Sequence, residues 1–165
     1  MSLSERRNLL RMLAVLPLAG CGFRPIYGQG GAGAGLRGRL AFNLIETPEG
    51  LLLLDILEQR YGNAGAGADF EVTLGLDIAE TGMVLTAATG LTRVTVNGEA
   101  TVSVKRRGAE EVLFGERLRE SVGYSAGPET LVTRSARADA RTRLVRRLAE
   151  RVVLRLGASA GDWAP

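Results

Sequence analysis

From Phe70 to Ile78 apolar and polar residues alternate: Phe70, Val72, Leu74, Leu76 and Ile78 fall on one parity, Glu71, Thr73 and Asp77 on the other. A period of two is what a β-strand with one buried and one wet face produces. The same pattern returns with Thr92, Val94, Val96, Ala100, Val102 and Val104 opposite Arg93, Thr95, Asn97, Glu99, Thr101, Ser103 and Lys105, and it predicts a long strand over roughly 91–106. Asn97-Gly98 is a hairpin signal. The alternation nevertheless continues through it, which favours one strand with a bend or bulge at Gly98 over a hairpin there. An earlier strand is expected over roughly 36–45, with Leu36, Leu40, Phe42 and Leu44 on one parity and Arg37, Arg39 and Asn43 on the other. A last strand carries Val112, Phe114, Leu118, Val122 and Tyr124 after a turn at Arg106–Ala109; Glu116 and Glu120 interrupt its apolar side, as at an irregularity or an edge near solvent.

Two segments change to a helical period. Thr47 is an N-cap residue followed by Pro48 at the first helical position and Glu49 in the positive first turn. Leu51–Leu54, Ile56, Leu57 and Tyr61 supply an apolar stripe and Gly62 a stop, so a helix is expected over roughly 48–61. From Pro128 to Leu156, Leu131, Ala140, Leu144, Leu148, Val152 and Leu156 line one face, and Gly157 is expected to end that helix. The order is strand, helix, three strands, helix. Four strands with one apolar face each need a cover, and two amphipathic helices supply it. The expected fold is α+β: a two-layer sandwich of a four-stranded, mostly antiparallel sheet with two helices on one face.

The first twenty residues stand apart. Arg6, Arg7 and Arg11 precede an apolar run from Met12 to Ala19, the secretory-leader pattern. Crossing a bilayer takes roughly 20 apolar residues, and this run is less than half as long. Leu18-Ala19-Gly20-Cys21 at its end resembles the lipobox of bacterial lipoproteins. That resemblance implies signal-peptidase recognition of Leu18, Ala19 and Gly20, a cut after Gly20, and covalent lipid on Cys21. Several acyl chains, at about 0.8 kcal/mol per buried methylene, hold a protein to a bilayer where one chain does so only marginally. The expected organisation is a signal peptide at 1–20, a lipidated flexible tether at 21–35, a single domain at 36–157 and a disordered tail at 158–165.

Removing the leader takes away three arginines and one glutamate, lowering the formal net charge from +3 to +1. The basic pI therefore says little about nucleic acid, and a secreted address removes it as a natural partner. With Cys21 the only cysteine, no internal disulfide can form. The last helix is locally basic, with Arg134, Arg137, Arg141, Arg143, Arg146, Arg147, Arg151 and Arg155 against Asp139 and Glu150. It is either a surface for anionic lipid or phosphorylated glycolipid, or a solvated face whose arginine stems cover the apolar stripe. Arg93 and Lys105, on the polar face of the long strand, are candidate contacts for a partner or for lipid phosphates.

The chain contains no histidine, which excludes Ser/His and Cys/His nucleophilic arrangements and the usual zinc ligand. Gly28-Gln-Gly-Gly-Ala-Gly33 matches G-x-G-x-x-G, but a dinucleotide loop follows a strand and opens a helix, and this one does neither. The chain reads as a non-enzyme with no metal site and no cofactor beyond the lipid.

Cys21-Gly-Phe-Arg-Pro-Ile-Tyr-Gly28 resembles the mature start of the LPS-assembly lipoprotein family LptE, as written in alphaproteobacterial sequences. The strand ending Thr101-Val-Ser-Val-Lys105, the Ser121–Tyr124 segment and Ala136-Arg-Ala-Asp-Ala-Arg141 follow in that family's order. The resemblance implies an outer-membrane lipoprotein, periplasm-facing or inside a barrel lumen. It would plug the lipopolysaccharide-translocating β-barrel LptD and assist its assembly, with lipopolysaccharide itself as a candidate contact. The alternative is a free lipoprotein that binds a small molecule or lipid between helices and sheet.

Overall fold

The computed structural model describes residues 33–164 apart from Leu44, 87–90 and 128–129. Strands β1 (Leu40–Phe42), β2 (Phe70–Thr86), β3 (Leu91–Arg106) and β4 (Val112–Ala126) form one sheet in the order β1-β2-β3-β4. β1 runs parallel to β2, and the other neighbours are antiparallel. Helices α1 (Pro48–Tyr61) and α2 (Thr130–Trp163) complete an α+β sandwich of the expected class.

The alternation read along the chain sorts the sheet's two faces. Phe70, Val72 and Leu74 of β2, Val96, Ala100, Val102 and Val104 of β3, and Leu118, Val122 and Tyr124 of β4 are buried. They meet Ala140, Leu144, Leu148, Val152 and Leu156 of α2, each fully buried. The opposite parity, Glu71, Thr73, Asp77, Asn97, Arg117, Arg119 and Ser121, is exposed.

α1 has the expected bounds. The Gly50 amide donates to Thr47 Oγ1 at 3.0 Å, and Gly62, at φ 74°, ends the helix with its amide on the Glu58 carbonyl at 2.7 Å. Leu53, Leu57 and Tyr61 are its buried stripe. The Tyr61 hydroxyl donates to the Val153 carbonyl at 2.6 Å, which locks the end of α1 onto α2.

Four expectations need correction. The first strand is only Leu40–Phe42, because Ala34–Leu36 forms a 3₁₀ turn that buries Leu36. Asn43 then closes the pairing with its side chain, its Oδ1 accepting from the Leu74 amide and its Nδ2 donating to the Leu74 carbonyl at 3.1 Å. β2 continues eight residues past Ile78, to Thr86. β3 neither turns nor bulges at Asn97-Gly98: Gly98 pairs in register with Ile78 and Glu120, and the irregularities lie at Val84/Thr86 and Val104/Lys105. Gly98 is needed because α2 lies on it, an added Cβ standing 2.8 Å from Leu144 Cδ2 and 2.9 Å from Leu148 Cδ1. Finally, Gly157 does not end the last helix and 158–163 is no disordered tail. The helix runs to Trp163, whose ring meets Phe70 edge-on at 5.1 Å and stacks on Phe114 at 6.5 Å. Burying Ala160 and Trp163 outweighs the roughly 1 kcal/mol that glycine costs inside a helix.

Candidate functional site

Cys21 and the recognition residues Leu18, Ala19 and Gly20 lie outside the described residues. The sites that are described fall on the sheet's outer face and along α2.

On the outer face, Arg93 and Lys105 share a side but not a site. Twelve residues along one strand separate them by about 40 Å at roughly 3.3 Å per residue. Arg93 is exposed and lies across Gly123, its guanidinium close to where a Cβ would stand there. Lys105 Nζ meets Glu110 Oε2 at 3.2 Å. Between them the face is a shallow groove of about 400 Å³ floored by Asp77, Ala79, Asn97 and Ser121. Glu99 holds Arg117 at 3.0 Å and Arg119 at 2.7 Å beside it. Hydroxyls, small side chains and mutually neutralised charges make this a wet face that takes part in no core.

Along α2 most of the arginines are engaged. Arg155 Nε meets Glu116 Oε2 at 2.7 Å, and Arg151 Nη1 meets Glu120 Oε1 at 3.0 Å while donating to the Arg119 carbonyl at 2.8 Å. The two acids that break the apolar parity of β4 therefore sit on an edge strand, as expected, and serve as counter-charges for the helix above it. The Arg151 bond also occupies a carbonyl of a strand edge, and charges along such an edge oppose pairing with another sheet. Arg143 pairs with Asp139 one turn away at 2.9 Å. Arg134, Arg146 and Arg147 are exposed and have no ion pair among the described residues. The basic face expected from the sequence is therefore mostly a neutralised one.

The most enclosed polar cluster joins four elements. Glu80 Oε1 of β2 accepts from Arg137 Nε at 2.9 Å and Arg141 Nη1 at 3.0 Å, and Glu49 at the start of α1 takes Arg141 Nε at 2.5 Å. The Tyr124 hydroxyl of β4 reaches Glu80 Oε2 at 3.4 Å. The hydrogen bond from Arg141 holds the Glu49 carboxyl below its ordinary pKa. Burial works against the charge on Glu80, but the hydrogen bonds from Arg137 and Arg141 outweigh it and lower that pKa too. Burial, then the charge of Glu80, raises the Tyr124 phenol. A fully paired cluster of this kind clasps the helices to the sheet. It was missed in the sequence because Glu80 lies past the expected strand end; its even parity, continuing from Ile78, was the available signal.

No group of three or more His, Cys, Asp or Glu residues that could hold a metal occurs among the described residues. No helix among them is long and apolar enough to cross a membrane.

No protein-family model matches the sequence, and no curated protein does. Solved structures do share its fold, and they are bacterial lipoproteins by description. A candidate lipoprotein of Caulobacter crescentus CB15 matches with a TM-score of 0.64 at 17% identity, over 81% of this chain and 98% of that one. A minor lipoprotein of Acinetobacter baumannii matches with a TM-score of 0.54 at 12% identity, over 73% and 89%. The rare lipoprotein B of Shewanella oneidensis matches with a TM-score of 0.50 at 14% identity, over 74% and 93%. At these identities the likeness is one of fold.

Proposed function

We propose that this chain is an outer-membrane lipoprotein, held by acylated Cys21, that plugs an LptD-type β-barrel, assists its assembly and so takes part in lipopolysaccharide insertion. The observation that carries the reading is a coincidence of two independent features. A fold shared with three bacterial lipoproteins occurs in a chain whose own leader ends in Leu-Ala-Gly-Cys21 and continues Gly-Phe-Arg-Pro-Ile-Tyr-Gly28. Gly22 rather than Asp after the cysteine fits export to the outer membrane.

The reading assigns the domain a binding role, with no catalysis and no cofactor other than lipid. Its work is done by surface: a broad polar sheet face of hydroxyls, small side chains and mutually paired charges, with Arg93 near one end and Lys105 near the other as contacts for the barrel or for lipid phosphates. A ligand held between helices and sheet is disfavoured by the packing there, where Val96, Ala100, Leu144, Leu148 and Val152 are fully buried against one another. Depleting the protein in cells tests the reading. Correctly assembled barrel, measured by heat-modifiable gel mobility, is expected to fall while other outer-membrane barrels hold steady. Unchanged barrel assembly would refute it.

A further inference from the structure

The two edges of the sheet are unlike. Along β4 the Arg151 guanidinium occupies the outward Arg119 carbonyl at 2.8 Å, and Glu116, Arg117, Arg119 and Glu120 crowd that strand with charge, which opposes pairing with another strand. Along β2 the edge is covered only at its start. Leu40–Phe42 pairs Phe70–Val72, and the Asn43 side chain then bonds the Leu74 amide and carbonyl as a further peptide unit would. The β2 groups that face β1 belong to even-numbered residues: the Phe70 amide donates to the Arg39 carbonyl at 3.1 Å, and the Val72 carbonyl accepts from the Asn43 amide at 3.2 Å. The register with β3 is unbroken as far as Val84, so the amides and carbonyls of Leu76, Ile78, Glu80 and Gly82 point the same way. No described residue bonds them. The open run spans about 20 Å at roughly 3.3 Å per residue.

On the outer side this run is flanked by Gly75, Ala79 and Thr81, small and uncharged, and by Asp77. Asp77 is exposed, lies opposite Glu99 of β3 and has no ion pair among the described residues, because Arg117 and Arg119 both go to Glu99. On the helix side Leu76 and Ile78 are half-buried against the core.

We propose that a partner protein adds a strand here, an extended segment whose backbone bonds Leu76, Ile78, Glu80 and Gly82 and which sets a lysine or arginine beside Asp77. A row of donors and acceptors at strand spacing is matched in full only by another peptide backbone. Those bonds supply the hold and alternate side chains supply the choice: apolar next to Leu76 and Ile78, basic next to Asp77. A second copy is a poor occupant, since the same edge brings another acid and no cation. The inference holds whichever protein supplies the strand.

Residue-resolved amide exchange on the mature full-length chain in detergent tests it, with a capped peptide of alternating valine and lysine as the probe. In the free chain the amides of Leu76, Ile78, Glu80 and Gly82 should exchange at least about a hundredfold faster than those of Asp77, Ala79 and Thr81, which are bonded to β3. Saturating peptide should slow the first set at least about tenfold and leave the second unchanged, and the same peptide N-methylated along its bonding edge should bind at least about tenfold more weakly. Gly82→Pro removes one outward donor without costing a bond to β3; it should weaken the peptide while Gly82→Ala does not, with melting curves of both near the parent's. Four of these outcomes overturn the proposal: outward amides already protected in the dilute free chain, which means the chain covers its own edge; protection that grows with protein concentration, which means a second copy; equal binding of the N-methylated peptide, which means attraction of charge alone; and no protection at millimolar peptide. None of them depends on Cys21 or on recovery of a barrel, so this failure is distinct from failure of the lipoprotein reading.

Discussion

Gly98 is the position where a single methyl group tests the packing of helix on sheet. An alanine Cβ there would stand 2.8 Å from Leu144 Cδ2 and 2.9 Å from Leu148 Cδ1, against an ordinary carbon–carbon contact of about 3.5–4.0 Å. Both leucines are fully buried, so neither can swing out to solvent. Overpacking of this kind costs about 1–3 kcal/mol, and removing a glycine from a strand offsets about 0.5–1 kcal/mol of it. Gly98→Ala should therefore destabilise the domain by about 1–2 kcal/mol, read as a lower urea midpoint at unchanged slope. The cause is separable. Leu148→Ala alone should cost about 2–5 kcal/mol, and the double variant should be more stable than the sum of the two losses by about 1 kcal/mol, because the added methyl fills space the leucine vacates. If Gly98 were instead a turn residue, alanine would cost the same whatever stood at 148. Strict additivity, or an alanine variant as stable as the parent, would refute the packing argument.

Glu49 and Glu80 have lowered pKa values in the folded state, so their stabilisation is present above their unfolded values near 4.5 and is lost as pH falls through the lower folded ones. Stability should drop on acidification below about pH 4.5, and Glu80→Gln, costing about 1.5–3 kcal/mol at pH 7, should flatten that limb; an unchanged acid limb in urea titrations argues against the clasp. Ending the chain after Gly157 removes Ala160 and the 5%-exposed Trp163 and should cost about 3–5 kcal/mol. Trp163 is the only tryptophan, so native emission typical of solvated indole would contradict its burial. Cys21→Ala should accumulate as an uncut, unlipidated precursor, and normal acylated protein in mass spectrometry would refute the leader assignment.

The parts legible in the sequence are those where one face is wet. Phe70–Ile78 and Thr92–Val104 alternate because only one side of each strand is covered, and Thr47, Pro48 and Gly62 marked α1 because capping is local chemistry. The misreadings arose where distant partners decide. Gly157 is a local stop, overruled by Phe70 and Phe114 holding Trp163. Asn97-Gly98 carries a hairpin signature, yet the glycine is there to admit α2. Leu36 fits a strand's parity but reaches the core from a 3₁₀ turn. The polar sites divide in the same way. Glu116 and Glu120 stood out by breaking parity, whereas the clasp joins Glu80 to Arg141, 61 residues apart, and leaves no local pattern. Arg93 and Lys105 fall on one face of β3, but twelve strand residues hold them about 40 Å apart, too far to act as one site.

Affinity purification of the native chain from detergent-solubilised outer membranes tests the central claim most directly. The account predicts that one large β-barrel protein accompanies it in near-stoichiometric amount and stays bound through washing. Recovery of the lipoprotein alone, from membranes in which that barrel is abundant, would contradict it.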